Sequence, residues 1–170
     1  MSLIAWDGKT IAADKGSWKS GIYWVSVTKL LHVDLCEIAC KRFRLPVGSR
    51  IVWGICGNAS EIPLVLEYME NGGDAPTMLE KEYSTGLILD KETGKIYGLT
   101  GLLTLEHYDN PKVLADGAGF EMALGCLYSG KSATETIEIV AKHTDRAAGG
   151  VDSYTLPDEV VANRDGHKIL

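Results

Sequence analysis

Long hydrophobic runs are missing from this chain: no stretch approaches the roughly 20 apolar residues that a membrane-spanning helix needs. The N-terminus also lacks the basic-then-apolar pattern of a secretory signal, because Asp7 and Lys9 interrupt it early. The expected location is the cytoplasm, with no membrane partner. Concentrated positive charge is absent as well. The net charge is −6, and the one local gathering of basic residues, Lys41-Arg42-Phe43-Arg44, is too short to argue for nucleic acid and reads as a solvated face. Cysteine is sparse. Cys36 and Cys40 would share a face of a helix and, with nearby His32, faintly sketch a metal site, but no second Cys/His pair of useful spacing completes a structural zinc set. Free, half-buried thiols in a reducing compartment are expected instead. Repeats, low-complexity tracts and interdomain linkers are also lacking. What remains, 170 residues that are 45% apolar and 24% charged, fits a single domain over residues 1–170 with a sizeable core.

The apolar pattern alternates between two periods. Leu3–Trp6 and Lys9–Ala13 read as a hairpin around Asp7-Gly8, a pair suited to the positive φ angles of a two-residue turn. Ile22–Thr28 is a β-rich run that Lys29–Leu31 could continue, and Arg50–Cys56 is a buried strand. Between them, Leu35, Ile38, Ala39 and Phe43 have near-helical spacing, so residues 34–44 predict a short helix or an insertion. Gly57-Asn58 turns the chain into a helix from about Ala59 to Asn71, with Pro63 in its first turns and Gly72-Gly73 closing it. Thr85–Asp90 and Lys95–Leu99 form a second hairpin; short strands follow at Leu103–His107 and Lys112–Ala115. A helix runs from Gly119 to about Ser129. Ser132 with Glu135 is a capping box for the next helix, which ends near Thr144 ahead of a strand over Asp152–Leu156. Such blocks predict a layered α+β fold rather than alternating parallel βαβ units.

Ser2 carries the most telling chemistry. Removal of Met1 by a methionine aminopeptidase would leave Ser2 with a free α-amine beside its own hydroxyl, nucleophile and general base in one residue. Serine at position 2 usually does nothing, so the case rests on its neighbours. The hairpin register, with Asp7-Gly8 at its tip, places Ser2 opposite residue 13 or 14 and so brings the Asp14 carboxylate near it. Lys29 is the only charged residue between Ile22 and Leu31; beside a nucleophile it would help proton transfer, and otherwise it snorkels to water from a strand end. The Gly57 N–H, at a strand-to-helix turn, could donate into an oxyanion hole or could belong to a simple turn.

Taken in order, the hairpin from Ser2, the acid Asp14, the isolated Lys29, the Gly57 turn, Gly117-Ala118-Gly119 opening a helix, and Asp145 followed by Gly149-Gly150 resemble the proteasome β-subunit family and the related bacterial peptidase rings of the N-terminal-nucleophile hydrolases. The resemblance covers most of the chain, from Ser2 to about Tyr154. It implies a four-layer αββα sandwich. It places Ser2 at the family's threonine nucleophile, Asp14 at the acid that orients the catalytic lysine, Lys29 at that lysine, Gly57 at the oxyanion-hole glycine and Asp145 at the second acid. Ile55, Ala59 and Pro63 would line an apolar specificity pocket. It further implies peptide or unfolded-protein substrates, a homo-oligomeric ring, an ATP-dependent unfoldase as the partner class to look for, and no metal or organic cofactor. The chain departs from the pattern in having Ser2 for threonine, in a hairpin about four residues shorter, in a remodelled segment from about His32 to Pro46, and in Ala118 and Ala148, where the family has serines. Two other readings stay open: a catalytically inactive scaffold or assembly subunit of the same fold, and an amidase acting on a small molecule.

Overall fold

The computed structural model describes residues 2–19, 22–57, 61–73 and 85–166. β1 (Leu3–Trp6) and β2 (Thr10–Asp14) form the expected hairpin, but with a longer turn. Trp6 pairs with Ile11 and Ile4 with Ala13, so four residues, 7–10, separate the innermost partners. The Asp7 carboxylate bonds within this turn. Its Oδ1 accepts from the amides of Lys9 and Thr10, at 3.0 and 2.7 Å, and its Oδ2 accepts from the amide of Ala133, 2.8 Å away. The Asp7 amide donates to the Thr10 carbonyl at 3.2 Å, and the aspartate side chain closes the turn and fastens it to a helix start. The register therefore carries Ser2 past Asp14 instead of setting it opposite residue 13 or 14.

Along the chain follow β3 (Gly16–Lys19), β4 (Ile22–Ser26), β5 (Leu30–Asp34), α1 (Glu37–Phe43), β6 (Arg50–Cys56), α2 (Ile62–Asn71), β7 (Thr85–Asp90), β8 (Ile96–Leu99) and β9 (Leu105–His107). The last five elements are β10 (Leu114–Gly117), α3 (Phe120–Tyr128), α4 (Ala133–His143), β11 (Val151–Thr155) and α5 (Asp158–Arg164). Two larger antiparallel sheets result, ordered β10-β1-β2-β11 and β5-β6-β7-β8-β9, with β3-β4 as a separate hairpin. The β-rich run from Ile22 does not continue through Lys29. It breaks after Ser26 and resumes at Leu30, which places Lys29 at a junction between two strands.

Strand alternation sorts the core into layers. On β6, Ile51, Trp53 and Ile55 face the α1–α2 layer, meeting Phe43, Val65 and Met69, while Val52 and Cys56 face the other sheet, meeting Ile4, Trp6 and Ile11. On the far side Leu3, Ala5 and Ala12 lie beneath Leu127, Ile137 and Val140 of α3 and α4. The order is helices, sheet, sheet, helices: the expected four-layer sandwich. The capping box at Ser132 and Glu135 is formed. Helix α1 is a short helix whose N-cap is Cys36, its Sγ accepting from the Ala39 amide. Helix α5 was not expected; Val160 and Val161 on it pack onto the core between the sheets. All four thiols are free, and among the described residues no group of three His, Cys, Asp or Glu is placed to hold a metal ion. No helix among them is long and apolar enough to cross a membrane.

Candidate active site

The site is built where β1 begins, β2 ends and the β4–β5 junction passes beneath them. Asp14, the last residue of β2, is fully buried. Its Oδ1 accepts from Lys29 Nζ at 2.8 Å and from the Leu3 amide at 2.8 Å; its Oδ2 accepts from the amides of Gly16 at 3.0 Å and Ala148 at 3.2 Å. Lys29 is also buried, its side chain 5% exposed. An ion pair so deep is tolerable only when hydrogen bonds replace the lost water, and three backbone donors do that for the carboxylate. Burial pulls the Lys29 ammonium below its ordinary value, and the hydrogen bond and charge of Asp14 work against that pull. The result is a lysine brought nearer to proton exchange and fixed in place.

The peptide unit joining Ser2 to Leu3 is gripped at both ends. The Leu3 amide donates to Asp14, and the Ser2 carbonyl accepts from the Ala118 amide at 2.7 Å. The grip depends on Gly117, which has φ +94°. A Cβ on that residue would lie 2.1 Å from the Ser2 carbonyl oxygen and 2.7 Å from Cys56 Sγ, so only glycine lets β10 come this close. Ser2 itself is half-buried. Gly57, at the end of β6, is exposed with φ +119°, a conformation that again requires glycine. The backbone carbonyl of Lys29 accepts from the Ile55 amide at 2.9 Å, tying the lysine to the strand that leads into Gly57.

Asp14 thus joins Lys29 to the Ser2–Leu3 peptide, and Gly57 lies two residues beyond Ile55. Asp145 stands apart: its side chain is 82% exposed, and its carboxylate lies 3.3 Å from Nε of the adjacent Arg146. From that loop it is the Ala148 amide that reaches the site. Of the three pocket residues, Ile55 is buried in the helix-side core, Pro63 is exposed on the first turn of α2, and Ala59 lies outside the described residues. The amides of Leu3, Gly16 and Ala148 carry no sequence signal, because any residue supplies them. Cys56 does carry one, since alternation along β6 aims it between the sheets. It is buried, and burial, with Asp116 adding to the effect, raises its thiol well above the usual range, so it packs as a small apolar group.

No protein-family model matches the sequence, and no curated protein sequence matches it. Solved structures do. The chain superposes on BPH of Thiobacillus denitrificans in complex with epoxomicin with a TM-score of 0.62 at 18% identity, covering 91% of this chain and 97% of that one. It superposes on eukaryotic HslV from Trypanosoma brucei with a TM-score of 0.57 at 14% identity, covering 92% and 99%. At these identities the likeness shows the fold alone, a four-layer sandwich shared with BPH and HslV.

Proposed function

We propose that the chain is a peptidase that hydrolyses peptide bonds with Ser2 as N-terminal nucleophile, once Met1 has been removed. One observation carries this reading: a buried Asp14–Lys29 ion pair at 2.8 Å whose carboxylate also binds the Ser2–Leu3 peptide. A buried ion pair seldom adds net stability over apolar residues, so its presence beside a half-buried Ser2 points to chemistry. In the proposed reaction Ser2 Oγ attacks the scissile carbonyl and its α-amine takes the proton, directly or through water. Lys29 favours the deprotonated oxygen, Asp14 holds Lys29, and the Gly57 N–H stabilises the tetrahedral oxyanion; this collapses as the C–N bond breaks and the α-ammonium gives its proton to the leaving amine, and water then hydrolyses the Ser2 ester to free Ser2. Cytoplasmic residence, a homo-oligomeric ring and an ATP-dependent unfoldase belong to the same proposal. The ring is supported by exposed Leu64 on α2 and by Phe120 and Tyr128 on α3.

The inactive scaffold has observations of its own. Ala118 and Ala148 supply only backbone groups to the site, and Asp145 points to solvent. The two readings separate on a fluorogenic peptide panel run with the Met-free protein, Ser2→Ala and Lys29→Ala. Hydrolysis by the first alone supports the peptidase; equal background from all three supports the scaffold.

A further inference from the structure

A cavity of about 290 Å³ opens between β10 of one sheet and β7, β8 and β9 of the other. Asp116 forms part of its wall. In the β1–β10 register Asp116 stands opposite Ile4, as Leu114 stands opposite Trp6, and Ile4, Trp6 and Leu114 all pack into the core between the sheets. Asp116 therefore occupies an inward-facing position that strand alternation reserves for an apolar residue. Its one described hydrogen bond comes from the amide of the next residue, Gly117, at 2.7 Å, which leaves most of a carboxylate's acceptor capacity for the cavity. Burial raises its titration above the ordinary carboxylate value.

The rest of the lining has two characters. Leu87 and Leu114, both of the core between the sheets, contribute its apolar side chains, while Glu106 and Tyr108 stand in the lining with their polar ends 3.4 Å apart. Gly98 leaves the room for those ends: a Cβ there would fall 2.5 Å from the Tyr108 hydroxyl. A mainly polar cleft that presents the carboxylates of Asp116 and Glu106, with Leu87 and Leu114 as its apolar part, suits a long side chain with a cationic head on a methylene stem. Two of its lining residues neighbour residues that pack on the proposed site. Asp116 immediately precedes Gly117, whose backbone packs on the Ser2 carbonyl, and Thr85 on its rim pairs with Cys56, the residue before Gly57.

We infer that this cavity is a subsite that receives a lysine or arginine side chain of a peptide bound across Ser2. The inference rests on the peptidase reading and names its substrate class. It is tested by binding to the full-length Met-free Ser2→Ala protein, using fluorescein-labelled hexapeptides with Lys, Arg, norleucine or Gln placed in turn at each position. Anisotropy titrations are expected to show one position where Lys and Arg bind about tenfold tighter than norleucine and Gln. Asp116→Asn and Glu106→Gln should each erase most of that preference. Asp116→Leu should erase it too while folding normally, because leucine suits the inward face. A basic preference that survives these substitutions overturns the inference, as does the absence of any such preference or of binding by every peptide. Cleavage assays with the Ser2 protein keep the two claims apart. Basic preference without cleavage sinks only the peptidase reading; cleavage with no basic preference sinks only the subsite.

Discussion

Asp14 on β2 and Asp116 on β10 flank the start of β1 from opposite sides. Asp14 is fully buried, ion-paired and bonded by three backbone amides. Asp116 is half-buried, faces a cavity and has one described donor, the amide of its neighbour. The first carboxylate is spent on holding a lysine and a peptide unit in fixed geometry. The second occupies an inward-facing position with one described donor, the feature on which the proposed subsite rests.

Removing each acid should therefore have opposite consequences. Asp14→Ala strands the buried Lys29 charge and three amides, and is expected to cost about 3–5 kcal/mol in urea unfolding and to abolish hydrolysis. Gly117→Ala, which attacks the contact between the two sides, should cost about 2–4 kcal/mol through backbone strain and overpacking against the Ser2 carbonyl. Asp116→Leu should stay within about 1 kcal/mol of the parent, or exceed it, since it replaces a desolvated acid by the residue type the position favours.

The pH dependence sharpens the same contrast. Asp116 titrates higher in the folded chain than its ordinary 3.8, so its contribution to stability is full below that value and is lost as pH rises through the folded one. Asp116→Asn should flatten that acid-side decline. Lys29 titrates lower in the folded chain than its ordinary 10.5, so stability should gain as pH climbs from the folded value towards 10.5. Lys29→Met should remove that alkaline slope, read as the difference between the two proteins' unfolding midpoints. This is the smallest of the expected effects.

Much of this arrangement could be read from the sequence because it depends on pattern. Alternation and turn residues located β1, β2, β6, β7 and β8, and the Ser132–Glu135 box located α4. Asp14 and Lys29 stood out as charges at the ends of apolar runs. What escaped was set by contacts distant in sequence. The Asp7 carboxylate bonds the Ala133 amide, far along the chain, and the hairpin register differs from the expected one. Strand β3 and helix α5 are short and weakly patterned, and α5 is fixed by packing of Val160 and Val161 on the inter-sheet core. Asp145 was carried over by resemblance, but its loop delivers a backbone amide to Asp14 and leaves the side chain in solvent.

Whether Ser2, freed of Met1, is a nucleophile is the central question, and one measurement addresses it directly. The Met-free protein is incubated with epoxomicin, the compound present in the similar Thiobacillus structure, and its intact mass and peptide map are recorded. The predicted result is a single covalent adduct that maps to Ser2, is absent from Ser2→Ala and is much reduced in Lys29→Ala. An unmodified mass for the folded, Met-free protein, or an adduct that persists in Ser2→Ala, would contradict the account.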